Sequence, residues 1–182
     1  MTSERLGSMT LGMLLFVVSE VMFFGGLFAA YFTLKDLTQP WPPGSMELRL
    51  GIPAIITALL ISSSATAHKA EVAATNGDLK EMRRWISVTL ALAGIFLAGQ
   101  VLEYSELGFS ISDGSFASLF FTMTGFHGAH VAAGMVMLAA ATVTTSRSQG
   151  RWGRAHLRGA VMYWHFVDVV WIGLFVTLYI LR

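Results

Sequence analysis

Five long apolar runs divide the chain, roughly Met9 to Leu34, Leu50 to Ala67, Trp85 to Leu102, Ser115 to Thr144 and Gly159 to Leu181, with short polar stretches between them. A bilayer core about 30 Å thick is crossed by an α-helix of about 20 residues, so each run is of spanning length. A membrane β-barrel would instead show alternating segments of about 10 residues. The pattern predicts an all-α, polytopic membrane protein: one transmembrane domain over 1–182, built as a bundle of five transmembrane helices.

Composition agrees with that reading. Hydrophobic residues make up 54% of the chain and charged residues 13%, and mean hydropathy is +0.63, well above the soluble balance. Met1 to Ser8 carries Glu4 beside Arg5 and leads into an apolar run too long for a signal-peptide core, so the first run is expected to be an uncleaved span. Lys69, Lys80, Arg83, Arg84, Arg147, Arg151, Arg154, Arg158 and Arg5 fall on one side of the membrane, against Lys35, Arg49 and Arg182 on the other. The positive-inside rule then puts the N-terminus inside and the C-terminus outside. Net charge is only +1, with the basic residues in short loops, so nucleic acid is not an expected partner. Without cysteine there is no thiolate metal site, disulfide or thiol redox chemistry.

Two loops on the outer side have distinct characters. Three prolines stiffen Thr38-Gln39-Pro40-Trp41-Pro42-Pro43-Gly44, and its Trp41 is of a type that favours the membrane interface. Ser110-Ile111-Ser112-Asp113-Gly114-Ser115 reads as a turn in which Ser or Asp caps the fourth helix.

Polar residues inside the spans carry the candidate chemistry, because an unpaired polar group in hydrocarbon costs several kcal/mol. Glu20 lies near the middle of the first span, where desolvation requires a protonated or hydrogen-bonded carboxyl. Its plain reading is a helix-to-helix hydrogen bond, and its sharper one a site of proton or lipid contact. His127 and His130 are three apart in the fourth span, with Gly125, Gly128, Ala129 and Ala133 small enough for close backbone approach. His165 and Asp168, also three apart, share a face of the last span. These five form an expected intramembrane polar network. A metal site from His127, His130, Asp168 and Glu20, or a haem between helices, is conceivable, but HxxH alone is a weak ligand pattern and packing without metal is preferred.

Gln100, Glu103 and Tyr104 form an outer-side polar cluster, read as a solvated helix end. His68, Lys69, Arg154, His156 and Arg158 are placed to meet inner-leaflet phospholipid headgroups. Thr57 and Ser62-Ser63-Ser64-Ala65-Thr66 suit close helix packing, with hydroxyls bonded back to their own helix. No hydrolase triad, phosphate loop or nucleotide fingerprint is present, so no catalytic residue is expected in this chain.

Over nearly its whole length the chain resembles subunit III of the haem-copper respiratory oxidases. The resemblance rests on Ser19-Glu20-Val21-Met22-Phe23-Phe24, Trp41-Pro42-Pro43-Gly44, the Leu60 to Thr66 serine run, Gln100 with Glu103-Tyr104, and Ile111-Ser112-Asp113-Gly114. It continues at Thr124-Gly125-Phe126-His127-Gly128 with His130-Val131, and at Tyr163-Trp164-His165-Phe166-Val167-Asp168-Val169-Val170-Trp171. It implies an accessory subunit of a proton-pumping terminal oxidase in the bacterial inner membrane. Such a subunit holds no haem or copper of its own, these belonging to partner subunits. It packs against the catalytic subunit I and other oxidase subunits, in some cases within a respiratory supercomplex. The resemblance also implies bound phospholipid in a cleft, an oxygen route, sustained proton uptake and protection of the catalytic subunit during turnover. Glu20 matches the family's intramembrane carboxylate that reacts with carbodiimides.

The chain departs from the longer members of that family, which have seven spans, and is similar to the short bacterial forms. Ile56 and Arg158 stand where cytochrome c oxidase versions often carry asparagine and glutamate, leaving the electron donor open between cytochrome c and quinol. The same fold serving a nitric oxide reductase complex is a close rival. A freestanding ion or metal transporter built on the His and carboxylate residues is a rival of another class.

Overall fold

A computed structural model describes residues 2–43, 46, 48–147 and 151–181, the side chains of residues 2–10 and 151 excepted. Within them lie α1 (Thr2–Leu37), α2 (Gly51–Thr75), α3 (Leu79–Glu106), α4 (Ser115–Arg147) and α5 (Arg151–Phe175), the last running on as a π-helical turn over Val176–Ile180. No strand occurs among the described residues, and all five helices are long and apolar enough to cross a membrane. Gly44 and Arg182 lie outside the described residues, as do the side chains of Arg5 and Arg151.

The helices overrun the apolar segments that announce them. α2 continues through His68 and Lys69 to Thr75, and α3 starts at Leu79, so Lys80, Arg83 and Arg84 sit on helix rather than in loop. The physical reason is that a helix satisfies its own backbone hydrogen bonds in water as well as in lipid. Local stop signals therefore end it, not the bilayer edge. Between α2 and α3 that signal is Asn76-Gly77-Asp78. Gly77 takes φ +83°, which glycine adopts without a Cβ penalty. The Asp78 carboxylate then caps α3 by accepting the N–H groups of Lys80 at 3.1 Å and Glu81 at 2.9 Å.

Between α3 and α4 the turn has a different use for its aspartate. The Asp113 carboxylate accepts the Ser110 N–H at 2.6 Å and closes the loop, while the Ser118 hydroxyl donates to the Ile111 carbonyl at 2.7 Å. The first loop folds inward. Trp41 is buried against the bundle; its indole N–H donates to the Tyr31 hydroxyl at 3.1 Å and its ring meets Phe116 edge-on.

α5 is the centre of the bundle, packed against α1, α2 and α4, and α3 closes the ring against α2 and α4. Close approach depends on glycine at two places. A Cβ on Gly134 of α4 would lie 2.9 Å from the Trp164 ring of α5, and one on Gly99 of α3 would clash with the Ile56 side chain of α2. The small residues expected to do this work on α4 mostly do not: Gly125, Ala129 and Ala133 are exposed, and Gly128 meets only Leu97, at an ordinary 3.7 Å.

Polar groups inside the bundle and at its basic end

The five polar residues expected to share one network fall into separate environments. Glu20 of α1 and His130 of α4 meet directly, with Oε2 and Nε2 at 2.8 Å. The other ring nitrogen of His130 lies 2.7 Å from the Phe126 carbonyl one turn back. A carbonyl only accepts, so Nδ1 carries a hydrogen, and the contact from Nε2 to Glu20 then requires one proton held between imidazole and carboxyl. The pair is either neutral with neutral or cation with anion; both forms have zero net charge. That is what allows it to sit at bilayer depth, caged by Phe23 and Phe24.

His127, three residues away, faces the interior. Fully buried, it lies beside the Trp171 ring, 4.8 Å between centroids, and edge-on to Phe96 at 5.7 Å. Neither of its nitrogens has a hydrogen-bond partner among the described residues, and neither does either oxygen of buried Asp168 on α5. His165 is separate again, its Nδ1 2.6 Å from the Ser64 hydroxyl of α2.

A seam of hydroxyls on α2 and ring nitrogens on α5 holds these two helices together. The Trp164 indole N–H donates to Ser63 at 3.0 Å and the Trp171 indole N–H to Thr57 at 2.8 Å. The hydroxyls also bond back to their own helix, Thr57 to Pro53 at 2.6 Å and Ser63 to Leu60 at 2.6 Å. Back-bonding was legible in the sequence; the tryptophans as partners were missed. The signal was there, since Trp164 and Trp171 are seven apart, two helical turns, and Thr57 and Ser63 are six apart on an antiparallel neighbour.

At the end opposite the basic residues, Gln100 and Glu103 are buried, 4% and 5% exposed, which corrects the expectation of a solvated helix end. Tyr179, unremarked in the sequence, donates to Glu103 Oε1 at 2.6 Å, and the Gln100 amide donates to Oε2 at 3.1 Å. Tyr104 turns to α4 and shares a 2.6 Å hydrogen bond with Thr124. The π-helical turn carries Tyr179, and its neighbour Thr177 lends its carbonyl to Tyr31 at 3.2 Å. A helix end that is both polar and buried needs partners from another element, and this turn brings them.

At the basic end a cavity of about 490 Å³ opens between α1, α2, α4 and α5. Its wall is apolar at Met13, Met137, Leu157 and Met162 and polar at Glu71, Thr75, Arg154, His156 and Arg158. Arg158 is tied to Glu71, Nε to Oε1, at 3.1 Å. Of the expected headgroup residues, Arg154, His156 and Arg158 are thus brought together. His68 and Lys69 are not part of the wall, and Lys69 lies 4.4 Å over the Trp85 ring. No group of three or more His, Asp or Glu able to hold a metal ion occurs among the described residues.

Similarity to known proteins runs along the whole chain. Residues 2–182 match the family model described as cytochrome c oxidase subunit III. Cytochrome c oxidase subunit 3 of Thermostichus vulcanus is 45% identical over 174 residues, covering 94% of this chain and 86% of the relative. The subunit 3 of a Synechocystis strain is 41% identical, covering 93% and 74%. A probable cytochrome c oxidase subunit 3 of Nocardia farcinica is 40% identical over 186 residues, covering 98% and 91%.

Proposed function

Because this chain belongs to the cytochrome c oxidase subunit III family, and so is an accessory subunit of a haem-copper oxidase, we propose that it does no redox chemistry itself and sustains the turnover of a catalytic partner. It forms a single transmembrane domain in a bacterial inner membrane, with its basic end cytoplasmic. The partner subunits hold the haems and copper, reduce oxygen to water and pump protons. The names of the relatives support cytochrome c, rather than quinol, as the electron source.

The observation that carries this reading is the Glu20–His130 pair, a 2.8 Å contact that joins α1 to α4 within their apolar spans. Its half-buried position lets it respond to lipid and to a neighbouring subunit. A second support is the cavity at the basic end, whose apolar wall fits acyl chains while Arg154, His156 and Arg158 fit a phosphate. Phospholipid bound there would seal the bundle against the partner and keep the oxygen and proton routes of the complex in order. Gln100, Glu103 and Tyr104, with Tyr179, fix the opposite end of the bundle.

The test is Glu20→Gln in the purified oxidase complex, followed over many turnovers. Initial activity stays near wild type, while activity decays several-fold faster with turnover and retained lipid falls. Unchanged decay, unchanged lipid and unchanged proton pumping together would leave the pair with a packing role only.

A further inference from the structure

The seam between α2 and α5 is more than a packing device at its basic half. Glu71, His68 and Ser64 are spaced three and four residues apart, so they form one stripe on α2. Opposite them α5 presents Arg158, His165 and Asp168. The contacts run in order along this stripe: Arg158 pairs with Glu71 at the cavity mouth, and Ser64 meets His165 at 2.6 Å. Three residues beyond His165, on the same face of α5, lies the buried Asp168 carboxyl, with neither oxygen hydrogen bonded among the described residues. From Glu71 to Ser64 is seven residues, about 10 Å of helix, and from His165 to Asp168 three more, about 4.5 Å. The stripe thus runs about 15 Å along the helices from the basic end into the bundle.

We propose that this stripe is a proton-access path and that Asp168 is an internal proton-binding site loaded through Ser64 and His165 from the basic end. Asp168 is the right terminus because it is 4% exposed and neither oxygen is committed to a partner. The steps conserve every atom and move no electrons. His165 takes a proton on one ring nitrogen and releases the one on Nδ1 to the Ser64 oxygen, and Ser64 passes its own hydrogen to the Asp168 carboxylate. Hydroxyl rotation and a tautomer exchange restore the relay.

The remaining titratable groups leave the path clear. On α1, Glu20 is committed to His130 of α4; His127 of α4 lies against Trp171 and Phe96; on α3, Glu103 is held by Tyr179 and Gln100. The path stands whether or not the supporting role proposed above holds, since it concerns this chain's own protons.

It is tested by infrared spectroscopy of the intact complex in lipid nanodiscs, comparing wild type with Asp168→Asn. The carbonyl band of a protonated carboxyl that follows external pH is expected in wild type and lost in D168N. Ser64→Ala and His165→Phe keep the band, but slow its exchange into heavy water by about tenfold, equivalent to ~1.4 kcal/mol on the barrier. Ser64→Thr, which retains the hydroxyl, exchanges like wild type and separates relay from packing. A carboxyl spectrum that D168N does not alter would overturn the site. Exchange as fast in S64A and H165F as in wild type, or as slow in S64T as in S64A, would overturn the path.

Discussion

α5 and α1 are both long, apolar and of spanning length, yet 56% of the spanning window of α5 is buried inside the bundle and only 6% of that of α1. The difference cannot come from hydrophobicity, because lipid tails satisfy an apolar side chain as well as a neighbouring helix does. It comes from shape and from polar atoms. α5 carries Trp164 and Trp171, whose ring nitrogens find hydroxyls on α2 and whose faces fit against Gly134 and His127. α1 has only scattered attachments along its length. Phe16 stacks on Tyr163 at 5.8 Å, Glu20 pairs with His130, Tyr31 reaches the Thr177 carbonyl, and Lys35 donates to the Leu181 carbonyl. Helix association in this protein therefore follows complementary contacts, and the most apolar helix is the least embedded.

That contrast can be broken at its strongest point first. Gly134→Val places a branched side chain where even a Cβ would lie 2.9 Å from Trp164, and overpacking of this kind costs about 1–3 kcal/mol. Of the three substitutions proposed for this contrast, it should give the largest loss in thermal unfolding of the complex in detergent. Trp171→Phe keeps most of the ring and removes the donor to Thr57, which remains bonded to Pro53. A hydrogen bond between membrane helices averages roughly 0.6 kcal/mol, so the total cost is expected near 1 kcal/mol. Met22→Ala on α1, at a residue 73% exposed, is expected to change stability by less than about 0.5 kcal/mol. If it costs as much as Gly134→Val, the outer face of α1 is covered by another subunit in the complex and its isolation in this chain is misleading.

Five helices, their spanning length and the family were legible in the sequence, as were Glu20 and the histidines as groups needing protein around them. Those features follow from single-residue physics: a carboxyl in hydrocarbon must be neutralised wherever it points, and an apolar run must cross or be buried. The same reasoning went astray where the answer depended on a second helix. Trp41 has an interface composition but turns inward because Tyr31 and Phe116 offer it a hydroxyl and a ring face. Gln100 and Glu103 sit near a helix end yet are dry because Tyr179 closes over them.

What the sequence determined alone was therefore the inventory: all helix, no thiol chemistry, and three imidazoles and a few carboxyls within the spans that could not be left facing lipid. Only the tertiary structure decided the pairing. It joined Glu20 to His130 and His165 to Ser64, and left His127 and Asp168 without hydrogen-bond partners among the described residues. Spacing along a helix fixes which residues share a face, but the rotation of one helix against the next is set by the summed fit of large rings and glycines, which no single motif encodes.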